Sequence, residues 1–362
     1  MALHKSEFLR RLGIEHPIIQ APMSGGVTTP ELVAAACNAG GLGSFGAAYL
    51  TPEQIASDIR RIRALTDKPF NVNLFAGGYT SETRVDAAPM LAVVAEAHEA
   101  LGLPAPTLPP WPPNAFDEQL DAVLEARPAI FSFTFGIPDA DAMARLKAQG
   151  ILTVGTATTA EEGRRLQESG VTAIAAQGAE AGGHRGTFAG SFESSMIPTL
   201  ELVRALLEVV SVPVFASGGL MDGRDIAECL ARGADAAQLG TAFLTCPEAG
   251  TSDSYKRAML AARTDTTVIT RAFSGRPARG LANTFTTRLT GDEKLILPFP
   301  LQNALTRPMR NAAAKRGNSG YQSLFVGQGV ARARALPVEE LVKRLVAEMN
   351  GSGSHRHEPS HR

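Results

Sequence analysis

Val171-Thr-Ala-Ile-Ala-Ala-Gln-Gly-Ala-Glu-Ala-Gly-Gly-His-Arg-Gly-Thr-Phe188 is the stretch whose reading decides the fold. Val171 to Ala176 is a short apolar run, of the length and composition of a strand buried on both faces in a parallel sheet. Gln177 to Phe188 then set four glycines around one imidazole, His184. Glycine lacks a Cβ, so the backbone can turn sharply and approach a flat ligand closely. Histidine exchanges a proton near neutral pH without a large shift of its pKa. A buried strand ending in a glycine cradle with a histidine at its lip reads as a catalytic loop.

Seven further runs resemble Ala173–Gln177: Pro17–Pro22, Gly41–Gly46, Phe70–Phe75, Ala129–Phe135, Ile151–Thr156, Pro213–Ser217 and Ala236–Leu244. Amphipathic helical patterns fill most of the gaps. Glu31–Asn38, behind the cap Thr29 and Pro30, stops at Gly40-Gly41, as capping chemistry requires. Pro52–Ala64, Asp139–Gln149, Thr159–Ser169, Leu200–Val210 and Asp222–Ala231 read likewise. Eight strands alternating with helices over about 245 residues predict an α/β TIM (β/α)8 barrel. A doubly wound open sheet alternates in the same way and is the runner-up. The barrel is favoured because Asn71, Asn73, Gln177-Gly178, Ser217-Gly-Gly219 and Gln238–Thr241 gather polar and glycine residues at strand C-terminal ends, where barrels build one shared site.

Two stretches break the rhythm. Residues 76–116 hold a predicted helix, Ala88–Leu101, and an extended proline-rich run from Pro104 to Pro113 around the single tryptophan, Trp111. Residues 246–327 read as a smaller lid or substrate region inserted after the eighth strand, following a barrel at 1–245. Val338–Met349, within 328–350, is expected to pack back on the barrel. The tail, 351–362, has a composition that builds no core and is expected to be disordered.

The chain has 362 residues, 44% hydrophobic and 20% charged, with a net charge of −1. Such a balance suits a globular enzyme and speaks against nucleic acid or an anionic membrane as partner. Cys37, Cys229 and Cys246 form no Cys-x-x-Cys pair, so neither a zinc site nor a disulfide framework is expected, and a reducing cytoplasm fits. No segment reads as a signal peptide or a membrane span.

The chemistry concentrates at the strand ends. Ser217-Gly-Gly219 and Gln238-Leu-Gly-Thr241 close the seventh and eighth strands, where barrels often bind phosphate on backbone N–H groups. The Asp222–Ala231 helix starts just beyond and would add its N-terminal partial charge. The amides of Asn73 and Gln177 match the alternating donors and acceptors of a planar heterocycle; capping of neighbouring strands is the alternative. Arg185, beside His184, reads as a structural ion-pair partner.

Pro17-Ile-Ile-Gln-Ala-Pro-Met23, Asn38-Ala-Gly-Gly-Leu-Gly43, Pro69-Phe-Asn-Val-Asn-Leu-Phe75, Glu180-Ala-Gly-Gly-His-Arg-Gly186, Met221-Asp-Gly-Arg224 and Ser274-Gly-Arg-Pro-Ala-Arg-Gly280 together resemble the class I nitronate monooxygenases, formerly 2-nitropropane dioxygenases. The resemblance implies noncovalent FMN and oxidation of alkyl nitronates such as propionate 3-nitronate by O2 to a carbonyl compound and nitrite. It makes His184 the active-site histidine, as base for a nitroalkane or as hydrogen-bond partner of a nitronate. Met23, Asn73, Gln177, Gly182, Gly183, Ser217, Gly218, Gly219, Gln238, Leu239, Gly240 and Thr241 become the FMN-binding candidates, Met23 through its backbone. Where certain relatives carry tyrosines and a lysine, this chain has Phe299, Asn303 and Arg307, the candidate substrate contacts. The partners implied are a nitronate or nitroalkane and O2, with a homodimer left open and no metal. Two alternatives share the scaffold: an NAD(P)H-dependent flavin reductase of the enoyl-acyl carrier protein or quinone type, and a non-catalytic flavin-binding barrel.

Overall fold

The computed structural model describes residues 7–79, 81–263 and 266–351. Eight short strands form one all-parallel sheet: β1 (Ile18–Gln20), β2 (Ser44–Gly46), β3 (Asn71–Phe75), β4 (Ile130–Thr134), β5 (Leu152–Ala157), β6 (Ala173–Gln177), then β8 (Val214–Ser217) and β9 (Ala236–Leu239), β7 being a two-residue strand, Gly183–His184, outside this sheet. Their order is β1-β9-β8-β6-β5-β4-β3-β2. The two ends of that order meet. Ile19 bridges Leu42 in parallel, with Gln20 N donating to Leu42 O and Leu42 N to Ile18 O, each at 2.9 Å. An open sheet leaves two unpaired edges; this one closes, so the barrel holds and the open-sheet alternative falls.

The helices follow from capping and apolar spacing. α1 (Glu7–Arg11) precedes the barrel; α2 (Pro30–Asn38), α3 (Pro52–Leu65), α6 (Ala140–Ala148), α7 (Ala160–Glu168), α8 (Thr199–Leu207) and α9 (Gly223–Ala231) surround it. Thr29, Thr51, Asp139, Thr159 and Asp222 accept first-turn N–H groups at their starts, each such cap contributing about 1 kcal/mol. After β3 comes α4 (Ala88–Ala100), a proline-rich segment without regular structure, and α5 (Phe116–Ala126). The sequence reading left α5 unassigned, although its buried Phe116, Leu120, Val123 and Leu124 have helical spacing. The chain beyond β9 contributes α10 (Asp253–Leu260), α11 (Thr284–Arg288), α12 (Leu301–Lys315) and α13 (Val338–Gly351). α13 packs between α9 and α2, the slot of the barrel's eighth helix. Beyond Gly351 the tail lies outside the described residues.

Three cores result. One fills the layer between strands and helices. A second plugs the N-terminal end of the barrel, where Phe8 of α1 meets Phe215 edge to face at 5.3 Å. A third joins α4 to α11 and α12 through Met90, Val94, Phe273, Phe285, Leu305 and Met309, with Trp111 against it. The inserted segment after β3 and the chain after β9 thus share one hydrophobic core. β7 pairs antiparallel with β11 (Ala278–Leu281), which pairs with β10 (Thr267–Thr270). No strand was expected in either region. The three cysteines are buried free thiols.

Candidate active site

A cavity of about 730 Å3 opens at the C-terminal ends of the barrel strands. The opposite end of the barrel is plugged by the α1 core. Met23, Asn73, Gln177, Gly182, Gly183, His184, Ser217, Gly218, Gly219, Gln238, Gly240 and Thr241 all line it, as do Asn303 and Arg307 of α12. Two predicted residues do not. Leu239 packs into the strand–helix core, because consecutive strand residues point to opposite faces. Phe299 is 1% exposed and stands behind the histidine, ring to ring at 6.5 Å.

His184 lies on β7, held by the pairing of Ala278 with His184. Its ring sits among Phe325 at 5.2 Å, Phe135 at 5.9 Å and Phe299. Phe135 is itself at φ 71°, a left-handed conformation that costs a bulky residue energy. The Arg276 guanidinium lies 4.0 Å from the Phe135 ring centre. Nε2 of His184 is 2.8 Å from Ser274 Oγ. Arg276 N donates to that same oxygen at 3.2 Å, and the other acceptor available to the Ser274 hydroxyl, Arg276 O, is more distant at 3.3 Å. Nδ1 has no partner among the described residues and is the ring nitrogen open to a ligand. Burial first, then the charges of Arg276 and Arg310, holds the imidazole pKa down to about 3. The ring is therefore neutral at physiological pH.

The loop that carries His184 is anchored by side chains the sequence reading placed elsewhere. Gln177 Nε2 donates to His184 O at 2.9 Å, and Gln177 Oε1 accepts from Gly186 N at 2.7 Å. The amide thus spans the loop and keeps one N–H and one lone pair for a ligand. Asn73 shares Ser132 Oγ with Asn71, at 2.9 and 2.8 Å. Arg185 is 1% exposed and donates to the carbonyls of Gly178, Gln177 and Ser195. It is a structural residue, as read, but its partners are backbone carbonyls rather than a carboxylate. Glu162, fully buried, accepts from Thr158 N and Oγ1 at 2.6 and 2.7 Å and from Phe188 N and Ala189 N at 2.6 and 2.8 Å.

The glycines do separate jobs. A Cβ at Gly182 would stand 2.4 Å from the Val326 carbonyl carbon, so Gly182 admits the backbone above it. A Cβ at Gly183, whose φ is 75°, would project into space with no protein atom within 4 Å. The N–H groups of Gly218, Gly219, Gly240 and Thr241 reach no backbone acceptor among the described residues. The helix after Gly219 differs from expectation. The first N–H groups of α9 are already taken: Gly223 N by Glu348 at 2.9 Å, Arg224 N and Asp225 N by Asp222 at 3.0 and 3.1 Å. Two carboxylates therefore neutralise that helix terminus, and it is closed to an anion.

Sequence reasoning missed Tyr49, Ser274 and Arg310. Tyr49 follows β2 at a strand C-terminal end, the position that marks barrel sites. On α12, Asn303, Arg307, Arg310, Asn311 and Ala314 all line the cavity, so helical spacing from Asn303 and Arg307 leads to Arg310. No aspartate or glutamate lines the cavity among the described residues, and no group of metal-ligating side chains is present among them.

Known proteins resemble this chain in sequence and fold. The profile of the nitronate monooxygenase family matches residues 6–348. A nitronate monooxygenase of Paraburkholderia phytofirmans is 43% identical over 96% of this chain and 96% of its own length. The structure of a nitroalkane oxidase from Streptomyces ansochromogenes superposes with a TM-score of 0.87 at 41% identity, covering 96% of this chain and 99% of that one. FabK from Thermotoga maritima superposes at 0.76 with 27% identity, covering 97% of each chain. Matched over nearly its whole length, the chain belongs to the nitronate monooxygenase family and is an oxidoreductase.

Proposed function

We propose that the chain oxidises alkyl nitronates, propionate 3-nitronate among them, with O2 to a carbonyl compound and nitrite, using noncovalently held FMN. The observation that carries this reading is a neutral His184 presenting Nδ1 to a cavity that arginines line and carboxylates do not. Such a cavity suits an anion.

The residues fit FMN. Gly218, Gly219, Gly240 and Thr241 offer unpaired N–H groups for its phosphate, a nest of backbone donors. The open space at Gly183 suits a flat ring. Asn73, Gln177, Ser217 and Gln238 supply polar contacts, and Met23 and Gly182 complete the wall. When bound, FMN supplies the electron transfer between nitronate and O2, chemistry that no side chain provides.

The protein's part is to bind and orient. In this reading the Ser274 hydroxyl, which accepts the Arg276 N–H, donates to the nearer of its two acceptors, Nε2 of His184 at 2.8 Å rather than Arg276 O at 3.3 Å. That arrangement puts the ring proton on Nδ1, where it donates to an oxygen of the anionic nitro group. An imidazole held near pKa 3 is a poor base at neutral pH, so His184 holds a preformed nitronate rather than deprotonating a nitroalkane. Phe135, Phe299 and Phe325 keep water from that contact.

Anaerobic mixing tests the reading. The purified yellow protein should be bleached by propionate 3-nitronate and not by NADH, and should release nitrite in air. Rapid bleaching by NADH with no nitrite would instead establish the reductase alternative, and no bleaching by either the non-catalytic one. Ethyl nitronate should be turned over at least about 100-fold faster than nitroethane at pH 7, reflecting the missing base.

A further inference from the structure

We infer that Tyr49, Arg307 and Arg310 form a second anion subsite in the cavity, one that receives a carboxylate on the far end of the substrate. The inference rests on the nitronate reading for its substrate but on separate atoms for its binding. Tyr49 Oη is buried and has no hydrogen-bond partner among the described residues. Tyr49 and Arg310 are half-buried, and both line the cavity. Burial pushes the Tyr49 phenol up to about 12, so it stays protonated and remains a donor.

Arg310 Nη2 donates to Asn303 O and Oδ1, both at 2.8 Å, while its Nε is buried without a partner. No carboxylate lies in ion-pair contact with Arg307 or Arg310 among the described residues. The Arg307 guanidinium sits 5.1 Å from the Tyr49 ring centre, and the charges of both arginines act on the Tyr49 hydroxyl. A buried guanidinium Nε and a buried phenol hydroxyl, each without a hydrogen-bond partner among the described residues, are costly to maintain unless a ligand supplies one. Two cations and one neutral donor lining the same cavity suit a carboxylate, which accepts several charge-assisted hydrogen bonds. His184 and Arg310 line the same cavity, and the charge of Arg310 is felt at His184, which assigns the nitronate to His184 and the carboxylate to Arg310.

The test compares propionate 3-nitronate with propyl 1-nitronate, which has the same chain length and no carboxylate. The ratio of their kcat/KM values should fall about 10-fold in Tyr49→Phe and about 100-fold in Arg310→Met, as expected for loss of a hydrogen bond to a charge. Calorimetry on the FMN-loaded protein supplies a second measurement that needs no turnover. 3-Nitropropionate should bind more tightly than 1-nitropropane, with that preference reduced in Tyr49→Phe. If Arg310→Met does not fold, Arg310→Lys and Tyr49→Phe carry the comparison. A ratio within twofold of the parent in Tyr49→Phe, together with an unchanged calorimetric preference, overturns the subsite. Loss of FMN content in the same variants would assign these groups to the cofactor phosphate and overturns it equally. Failure of all nitronate turnover with the calorimetric preference intact would sink the proposed reaction and leave the subsite standing.

Discussion

His184 is the residue on which the local and the functional arguments meet. Its pKa is held near 3, mainly by burial and further by Arg276 and Arg310, against about 6.5 in an unfolded chain. Between those values the unfolded state binds a proton that the native state refuses, so stability falls as pH drops from 6.5 towards 3. Urea unfolding at pH 7 and pH 5 should therefore show the parent losing on the order of 1–2 kcal/mol more than His184→Gln. Identical pH dependence in the two proteins would mean that the ring is not held neutral. Much at this scale was legible beforehand. A lone histidine among glycines after a buried strand pointed to a loop that lines the cavity. Its protonation state was not legible, because that depends on Ser274 and on arginines far along the chain. Leu239 shows the opposite error. A four-residue motif was read as one contact surface, whereas the pleat turns Gln238 inward and Leu239 outward.

At the scale of elements, the eight barrel strands were readable because each lies in a short, mostly apolar run, and most barrel helices because each opens on a capping side chain. The small sheet of β7, β10 and β11 was not. Its strands are two to four residues long, too short for periodicity, and its pairings join distant segments. The neutralised start of α9 escaped for a related reason: Glu348, which takes Gly223 N, lies on α13, at the other end of the chain. The turn after β7 depends on another remote group. Glu162 on α7 accepts the N–H groups of Phe188 and Ala189 while fixing Thr158. Glu162→Ala would leave those donors buried without partners and should cost on the order of 2–4 kcal/mol. Thermal or urea unfolding measures this, and a cost under about 0.5 kcal/mol, typical of a surface site, would show that the turn does not need the carboxylate.

For the whole molecule, net charge misleads. The chain carries −1 overall, yet the barrel mouth gathers Arg276, Arg307 and Arg310 with no carboxylate lining the cavity among the described residues. Attraction of an anionic substrate should thus be local and sensitive to salt. Raising ionic strength from about 0.02 M to about 0.5 M should lower kcat/KM for propionate 3-nitronate roughly 3- to 10-fold, more than for a singly charged nitronate. Equal, flat responses for both would show that these arginines do not guide encounter. The barrel's closure and the shared core of α4, α11 and α12 set where that mouth lies, and neither was visible in any single segment.

The antiparallel partner of β7 is β11, which the ribosome makes about a hundred residues later than His184. A nascent chain that has emerged as far as β9 possesses all eight parallel strands of the barrel, although α13, whose Val338, Leu341, Val342 and Leu345 belong to the main core, is still to come. Such a chain also lacks Ser274, Ala278 and the arginines around the histidine. The strands of the scaffold therefore precede the partners of His184, which arrive only with the segment after β9.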